Sequence, residues 1–179
     1  MEHRADIPRK LNLGAGLRPR PDCLNVDLRG NPDLRWDLDE YPYPLPRDHF
    51  ECIYATDVVE HLMSVQRFVE EAHALLRPDG VLEITTPHFS SSNSYTDPTH
   101  RHHLGYFSFD YFTEGHQWNF YSSARFEIVE RVLVFSPGPL ARLVQRLANR
   151  RPQLYENRIA WIFPAWFLIF KLRALKSAH

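Results

Sequence analysis

The chain has 179 residues, 44% of them hydrophobic, and its 21 Lys and Arg against 22 Asp and Glu leave a formal net charge of −1. That length buries the core of one domain, and the charge balance offers no global field to attract nucleic acid. Cys23 and Cys52 form no C-x-x-C pair, which excludes a zinc knuckle or a redox dithiol and fits a reducing, cytoplasmic compartment; Met1–Asp6 lacks the apolar run of a secretory signal.

In chain order, Lys10–Leu13 reads as a buried strand that runs into the two-glycine turn Gly14-Ala15-Gly16, where the main chain is open to close approach by a ligand. Pro19 and Pro21 then exclude an ordinary helix before the second strand, Leu24–Leu28. A pyrophosphate would need a helix N-terminus at this point, so the expected ligand is not a pyrophosphate. A third strand is expected at Leu34–Leu38, followed by a proline-stiffened loop over Tyr41–Pro46 and a fourth strand at Phe50–Ala55.

Ser64 is a good N-cap. Val65, Phe68, Val69, Ala72, Leu75 and Leu76 follow the spacing of one buried helical face. Pro78-Asp79-Gly80 turns the chain into a fifth strand, Val81–Thr86. Near-continuous apolar runs joined through a helix predict parallel strands covered on both faces, hence an α/β domain.

Residues 88–121 have no clear period and crowd serines, histidines and aromatics, as expected of a substrate-side lid insertion. Phe126–Phe135 reads as a strand, and Leu140, Leu143, Val144 and Leu147 mark a helical face. The run Arg142, Arg146, Arg150 and Arg151 reads as a solvated helix end. The apolar stretch Ile159–Phe170, interrupted by Pro164, is too short to span a bilayer. It is expected as a core strand, with Phe167–Leu175 closing the sheet. Because Lys171, Arg173 and Lys176 follow it, peripheral membrane contact is the alternative.

Asp27 and Asp37 close the second and third strands, at the sheet end where ligands sit. The first can accept from ribose hydroxyls. The second, or the backbone of Leu38, can meet an adenine amino edge. Taken singly, each is equally an ordinary turn residue.

Leu11–Gly16, Asn25-Val26-Asp27, Trp36-Asp37-Leu38, Asp57-Val58-Val59-Glu60-His61-Leu62 and Leu76–Leu82, in this order, resemble a class I S-adenosylmethionine-dependent methyltransferase. Tyr155-Glu156 and Ile162–Ala165 are similar to the closing portion of a small bacterial, type 11-like subgroup. The resemblance implies a Rossmann-like sheet, mostly parallel with an antiparallel closing strand, in a single domain over 1–179. It implies S-adenosylmethionine as cofactor, with Gly14, Ala15 and Gly16 against its methionine part. Asp27 would then hold the ribose, Asp37 and Leu38 the adenine, and Asp57 the neighbourhood of the sulfonium. The chain departs from the family in Asn12, which stands near a place often acidic, and in a first crossover helix that is short or absent. S-adenosylmethionine carries no phosphate, so it tolerates the loss of that helix. Glu60-His61 belongs to the family signature and reads here as a helix-start pair with structural hydrogen bonds.

Methyl transfer from a sulfonium depends chiefly on alignment, and a hydroxyl acceptor also gains from a base that titrates near neutrality. His100 or His103, oriented by Asp97, is the expected base. Arg101 would steer an acidic acceptor, and His88, at the end of the fifth strand, points toward the same region. The alternative is that these histidines only pack on the lid aromatics Tyr106, Phe107, Phe109, Tyr111 and Phe112. Asp97, His100, His102 and His103 are ligand types whose spacing matches no familiar metal template, and no metal is expected.

The implied function is O-methylation of a small or sugar-containing acceptor, such as a cell-surface polysaccharide precursor, with no nucleic-acid partner. A non-catalytic cofactor-binding or scaffold protein on a degenerate methyltransferase fold is the alternative. A nicotinamide-dependent reductase is disfavoured by Pro19 and Pro21.

Overall fold

Leu11, Leu13, Val26, Ile53, Ala55, Leu82 and Ile84 are all buried, and the short apolar runs that carry them pair as the centre of a seven-stranded sheet. The computed structural model describes residues 7–176; the reading of Met1–Asp6 lies outside them. The strands are β1 (Lys10–Leu13), β2 (Leu24–Asp27), β3 (Leu34–Arg35), β4 (Phe50–Thr56), β5 (Leu76–Pro87), β6 (Phe126–Val134) and β7 (Phe167–Ala174). Their spatial order is β3-β2-β1-β4-β5-β7-β6. The pairs from β3 through to β5 are parallel, while β7 lies antiparallel to both β5 and β6. The sheet is thus the mostly parallel, antiparallel-closed α/β sheet that the sequence predicts.

The chain leaves β1 for β2 and β3 on one side and returns to β4 on the other. Such a reversal opens a crevice at the carboxyl ends of the strands. No helix forms between β1 and β2. In its place Asn25 acts as a hub. Its Oδ1 accepts from Asn12 Nδ2 at 2.9 Å and from Arg20 N at 2.7 Å. Its Nδ2 donates to Arg20 O at 3.0 Å and to Asp33 Oδ2 at 2.8 Å.

Helix α1 (Val65–Leu75) is capped by Ser64, whose side chain accepts from Arg67 N, and it buries Phe68, Val69, Ala72 and Leu75 as expected. It also buries Glu71, which accepts from Tyr43 N at 2.7 Å and pairs with Arg47 at 3.1 Å. That carboxylate ties the proline-stiffened loop to the helix.

Three expectations are corrected. β3 stops at Arg35 rather than Leu38: Trp36 N makes the last bond to β2, at Asp27 O, and then a turn at Asp37, with Asp39 N donating to Asp37 Oδ1 and Glu40 N to Asp37 O, takes the chain off the sheet edge. β5 begins at Leu76, which pairs with Phe50; Arg77–Gly80 then bulge out, and the ladder resumes at Cys52↔Val81. Ile159–Trp166 is not a core strand: Ile162 is 71% and Trp161 68% exposed, and the strand starts only at Phe167, beyond Pro164. After the short α2 (Asn93–Thr96), α3 (Pro139–Arg150) carries the predicted apolar face, and Leu140, Leu143 and Leu147 on it are exposed. Toward the sheet α3 buries Ala148 and turns two amides to β6. Asn149 Oδ1 accepts from Leu133 N at 2.8 Å, Asn149 Nδ2 donates to Leu133 O at 2.9 Å, and Gln145 Oε1 accepts from Phe135 N at 3.1 Å. These amides occupy free hydrogen-bonding groups along β6, an edge that would otherwise invite another strand.

β7 alternates strictly, with Leu168, Phe170, Leu172 and Ala174 all buried. Phe170 also meets Phe109 edge-on, with ring centroids 4.7 Å apart, so the 88–121 segment is anchored on the last strand. Phe170→Ala is expected to destabilise the fold by about 3–5 kcal/mol, measured by urea denaturation; a loss below ~1 kcal/mol would contradict this packing.

Candidate active site

The glycine turn is set by its own amides. Gly14 N and Ala15 N both donate to Val26 O, at 2.8 and 3.1 Å. Gly14 has φ +70°, and a Cβ there would come within 2.2 Å of Val58 Cγ2. Only glycine fits both restrictions. Gly16 N donates to Asp27 Oδ2 at 2.8 Å, and Arg29 N donates to Asp27 Oδ1 at 2.7 Å. Each carboxylate oxygen keeps a lone pair for a further donor.

A crevice of about 1070 Å³ opens over this turn. Gly14, Gly16, Asp27, Asp37, Leu38 and Asp57 line it together, and Asp97, Thr99, Arg101 and His61 line its other side. Ala15 is buried behind the turn and borders a smaller neighbouring hollow with Asn12 and Arg18. Asp57 has φ +55°. The walls around it strip away water and raise its pKa, an effect opposed by the nearby charge of Arg18.

The segment from Asp97 to His103 is docked by its main chain. Arg101 N and His102 N both donate to Glu60 O, at 2.7 and 3.2 Å, and His102 Nε2 contacts Leu62 O at 2.8 Å. This docking sets His100 edge-on against His61, with ring centroids 4.6 Å apart. Asp97 orients His61, not His100 or His103 as its spacing suggested. Asp97 Oδ1 accepts from Thr99 Oγ1 at 2.7 Å, and Thr99 Oγ1 lies 2.9 Å from His61 Nδ1. Since the single hydroxyl proton goes to Asp97, Thr99 accepts from His61, which places the imidazole proton on Nδ1 and a lone pair on Nε2. Likewise His100 Nδ1 lies 3.2 Å from Ser94 O, an acceptor only, so Nδ1 of His100 carries a proton; His100 touches His61 but is not itself among the residues that line the crevice.

Two other expected site residues lie elsewhere. His103 contacts Ser94 Oγ at 2.8 Å and stacks on Tyr95, away from the crevice lining. His88 does not reach the crevice. It is fully buried, accepts from Ser90 N at Nδ1, and its Nε2 lies 3.1 Å from Glu156 Oε1. That same oxygen accepts from Tyr106 N, so His88 and Glu156 form an internal latch beneath the 88–121 segment. Glu60 and His61 were read as a structural helix-start pair, yet Glu60 is 1% exposed and its Oε1 has no hydrogen-bond partner among the described residues. Burial raises its pKa to about 7. His61 is shifted down by burial, with His100 adding to the effect. The only hint in the sequence was that Glu60-His61 sits three residues after Asp57; the approach of His100 depends on the fold.

Comparison with known proteins accords with this geometry. The Methyltransferase domain family matches residues 13–152. A search of the curated proteins finds no match. Among solved structures, an S-adenosylmethionine-dependent methyltransferase from Mesorhizobium loti is 20% identical, with a TM-score of 0.56, over 92% of this chain and 90% of its own. One from Archaeoglobus fulgidus is 17% identical, with a TM-score of 0.57, over 93% and 86%. The [4+2]-cyclase SpnF also shares the fold, at 15% identity and a TM-score of 0.56 over 97% and 77%. Likeness of fold alone therefore does not decide the chemistry. The family match does: the chain belongs to the methyltransferase domain family, has the Rossmann-like class I fold, and is an S-adenosylmethionine-dependent methyltransferase.

Asp27→Ala is expected to weaken S-adenosylmethionine binding by about 1–3 kcal/mol, as for lost hydrogen bonds to a charged acceptor. Titration calorimetry measures this, and unchanged affinity would refute the assignment of Asp27 to the ribose.

Proposed function

We propose that this enzyme methylates a hydroxyl oxygen of a small or sugar-bearing acceptor, and that the proton is removed at the corner formed by His61 and His100. The observation that carries this reading is the edge-on contact of two histidines at the crevice: His61 lines it with Asp57, its Nδ1 held by Thr99, and His100, set by Ser94 O, meets the His61 ring. In this reading Asp27 holds the ribose, Asp37 and Leu38 meet the adenine, and Gly14–Gly16 face the methionine portion. The acceptor enters beneath the 88–121 segment, which serves as a lid, and Arg101 at the rim favours an acidic acceptor.

In the reaction the acceptor oxygen attacks the methyl carbon in line, the O–CH₃ bond forms, and the S–CH₃ bond breaks. Its electron pair stays on sulfur, giving S-adenosylhomocysteine, and the hydroxyl proton leaves through the histidine corner. His100 keeps a direct part at that corner, Asp97 acts as a positioning residue through Thr99 and His61, and His103 has no part in this scheme. His100→Ala should lower kcat by about 10²–10⁴-fold and leave cofactor affinity near normal. Mass spectrometry with isotopically labelled S-adenosylmethionine and a panel of hydroxylated acceptors tests both points. Label found only on nitrogen or carbon, or an undiminished kcat, would overturn the reading.

We further propose that the face formed by α3 and the Ile159–Trp166 loop rests on an anionic lipid surface, within a cytoplasmic setting that the two free cysteines support. Leu140, Leu143 and Leu147 are exposed, as are Trp161, Ile162 and Phe163, and Phe163 shares one surface hollow with Leu147 and another with Leu140. Arg142, Arg146 and Arg150 run along the same helix, which carries no acidic residue. Exposed leucines and tryptophans with a flanking arginine row match the physics of interfacial helices. No helix among the described residues is long and apolar enough to cross a membrane. The protein should co-sediment with phosphatidylglycerol vesicles but not phosphatidylcholine vesicles, and the double variant L143E/L147E should lose that binding. Equal binding by the double variant, or a stable dimer that buries this face, would overturn the proposal.

A further inference from the structure

Glu60, His61 and His100 each offer one ligand atom, and these atoms lie within 4.8 Å of one another. We infer that they form a site for one divalent transition-metal ion of the zinc or iron(II) class, at the edge of the cofactor crevice. Three features carry the inference. First, the donor set, two imidazole nitrogens and one carboxylate oxygen, is that of an open, three-ligand catalytic site. Second, both imidazoles are already oriented from outside, as metal-bound histidines are. His61 Nδ1 is held by the Thr99–Asp97 pair and His100 Nδ1 by Ser94 O. Nε2 of each ring makes no hydrogen bond among the described residues, which leaves it available to a cation. Third, Glu60 is buried, with Oε2 held by Thr86 Oγ1 at 3.0 Å and Oε1 left without a partner. A buried carboxylate oxygen with nothing to accept from is costly, and a metal ion satisfies it.

Bonds of about 2.0–2.2 Å around a tetrahedral ion space its ligand atoms by roughly 3.3–3.6 Å, so atoms that lie within 4.8 Å of one another need at most a modest closing movement. His100 can supply that movement, since it lies on a loop. This grouping differs from Asp97, His100, His102 and His103, whose spacing in the sequence matches no familiar metal template. His102 and His103 are turned to Leu62 O and Ser94 Oγ, and Asp97 supports a ligand rather than being one.

The metal's role rests on the O-methylation reading above, whereas the site itself does not. A bound ion would lower the pKa of a coordinated acceptor hydroxyl. With the ion bound the histidines are ligands and not bases, so the proton would pass to solvent and the base step proposed above would be that of the metal-free enzyme.

The test uses cobalt(II) alone, without cofactor or acceptor, on the full chain stripped with a chelator. Visible absorbance should reveal one bound equivalent in a low-symmetry site of low coordination number, displaced by zinc(II). H100A and E60Q should each weaken binding by about 100-fold or more. T99V, which removes only the group orienting His61, should weaken it by about 10–100-fold. H103A should leave the spectrum unchanged, which separates this site from adventitious binding to other histidines. Thermal melts check that each variant is folded. Absence of a stoichiometric cobalt spectrum in the wild type, or wild-type affinity in folded H100A and E60Q, would overturn the site. A normal cobalt spectrum in a protein that methylates no hydroxyl would leave the site standing and defeat the O-methylation reading.

Discussion

Two buried asparagines, Asn12 on β1 and Asn25 on β2, hydrogen-bond across the sheet at 2.9 Å, and the cofactor crevice depends on that contact. Parallel neighbours are ordinarily joined by a helix that covers the sheet and satisfies its own backbone. Here the connection from Gly14 to Cys23 has no helix, so its amides and carbonyls need side-chain partners. Asn25 supplies them by bonding Arg20 at both N and O and Cys23 at O, while Asn12 reaches Arg18 O. A buried network of this kind is stabilising only when fully satisfied, and this one is. An acid at position 12 could not donate to Asn25, so the departure from the family pattern and the missing helix are one structural adaptation.

The loop so held places Gly14 under Val58 and Gly16 on Asp27, and it presents bare main chain to the crevice. The β2–β3 connection closes on it from the other side: a Cβ at Gly30 would lie 2.9 Å from Gly16 O. The first three strands and their turns form one wall of the crevice, and the segment after β4, with the loop that docks on Glu60 O, forms the other. Under the proposed function the first wall binds the cofactor and the second carries the proton transfer. The latch of His88, Glu156 and Tyr106 fixes the base of the 88–121 segment to α4 (Pro152–Arg158). Sequence similarity around Tyr155-Glu156 thus has a physical basis: Tyr155 also donates to Phe163 O and accepts from Ala165 N, bracing the turn that leads into the last strand.

The parallel sheet and the glycine turn facing Asp27 were legible in the sequence because their signals are local. Leu11–Gly16 shows an apolar strand meeting glycines, and Asp27 follows an apolar run. The prolines at 19 and 21 announce the missing helix. Apolar periodicity shows which residues of α3 share a side, not which side meets the protein; Asn149 and Gln145 face inward because they pair with the β6 backbone. Ile159–Trp166 differs from the expected strand because composition cannot distinguish a buried apolar run from an exposed one. His61 and His100 were not linked because 38 residues separate them in the chain, and the hydrogen bonds to Glu60 O that join them are main-chain bonds with no side-chain signature.

The account's central claim is that the crevice between the glycine turn and the strand-end acids takes a phosphate-free adenosyl ligand. Calorimetric titration of the wild-type protein with S-adenosylmethionine and, in parallel, with NAD tests it most directly. One equivalent of S-adenosylmethionine bound at micromolar concentration, with no heat from NAD, is the predicted result. Binding of NAD in preference, or no binding of S-adenosylmethionine at millimolar concentration, would contradict it.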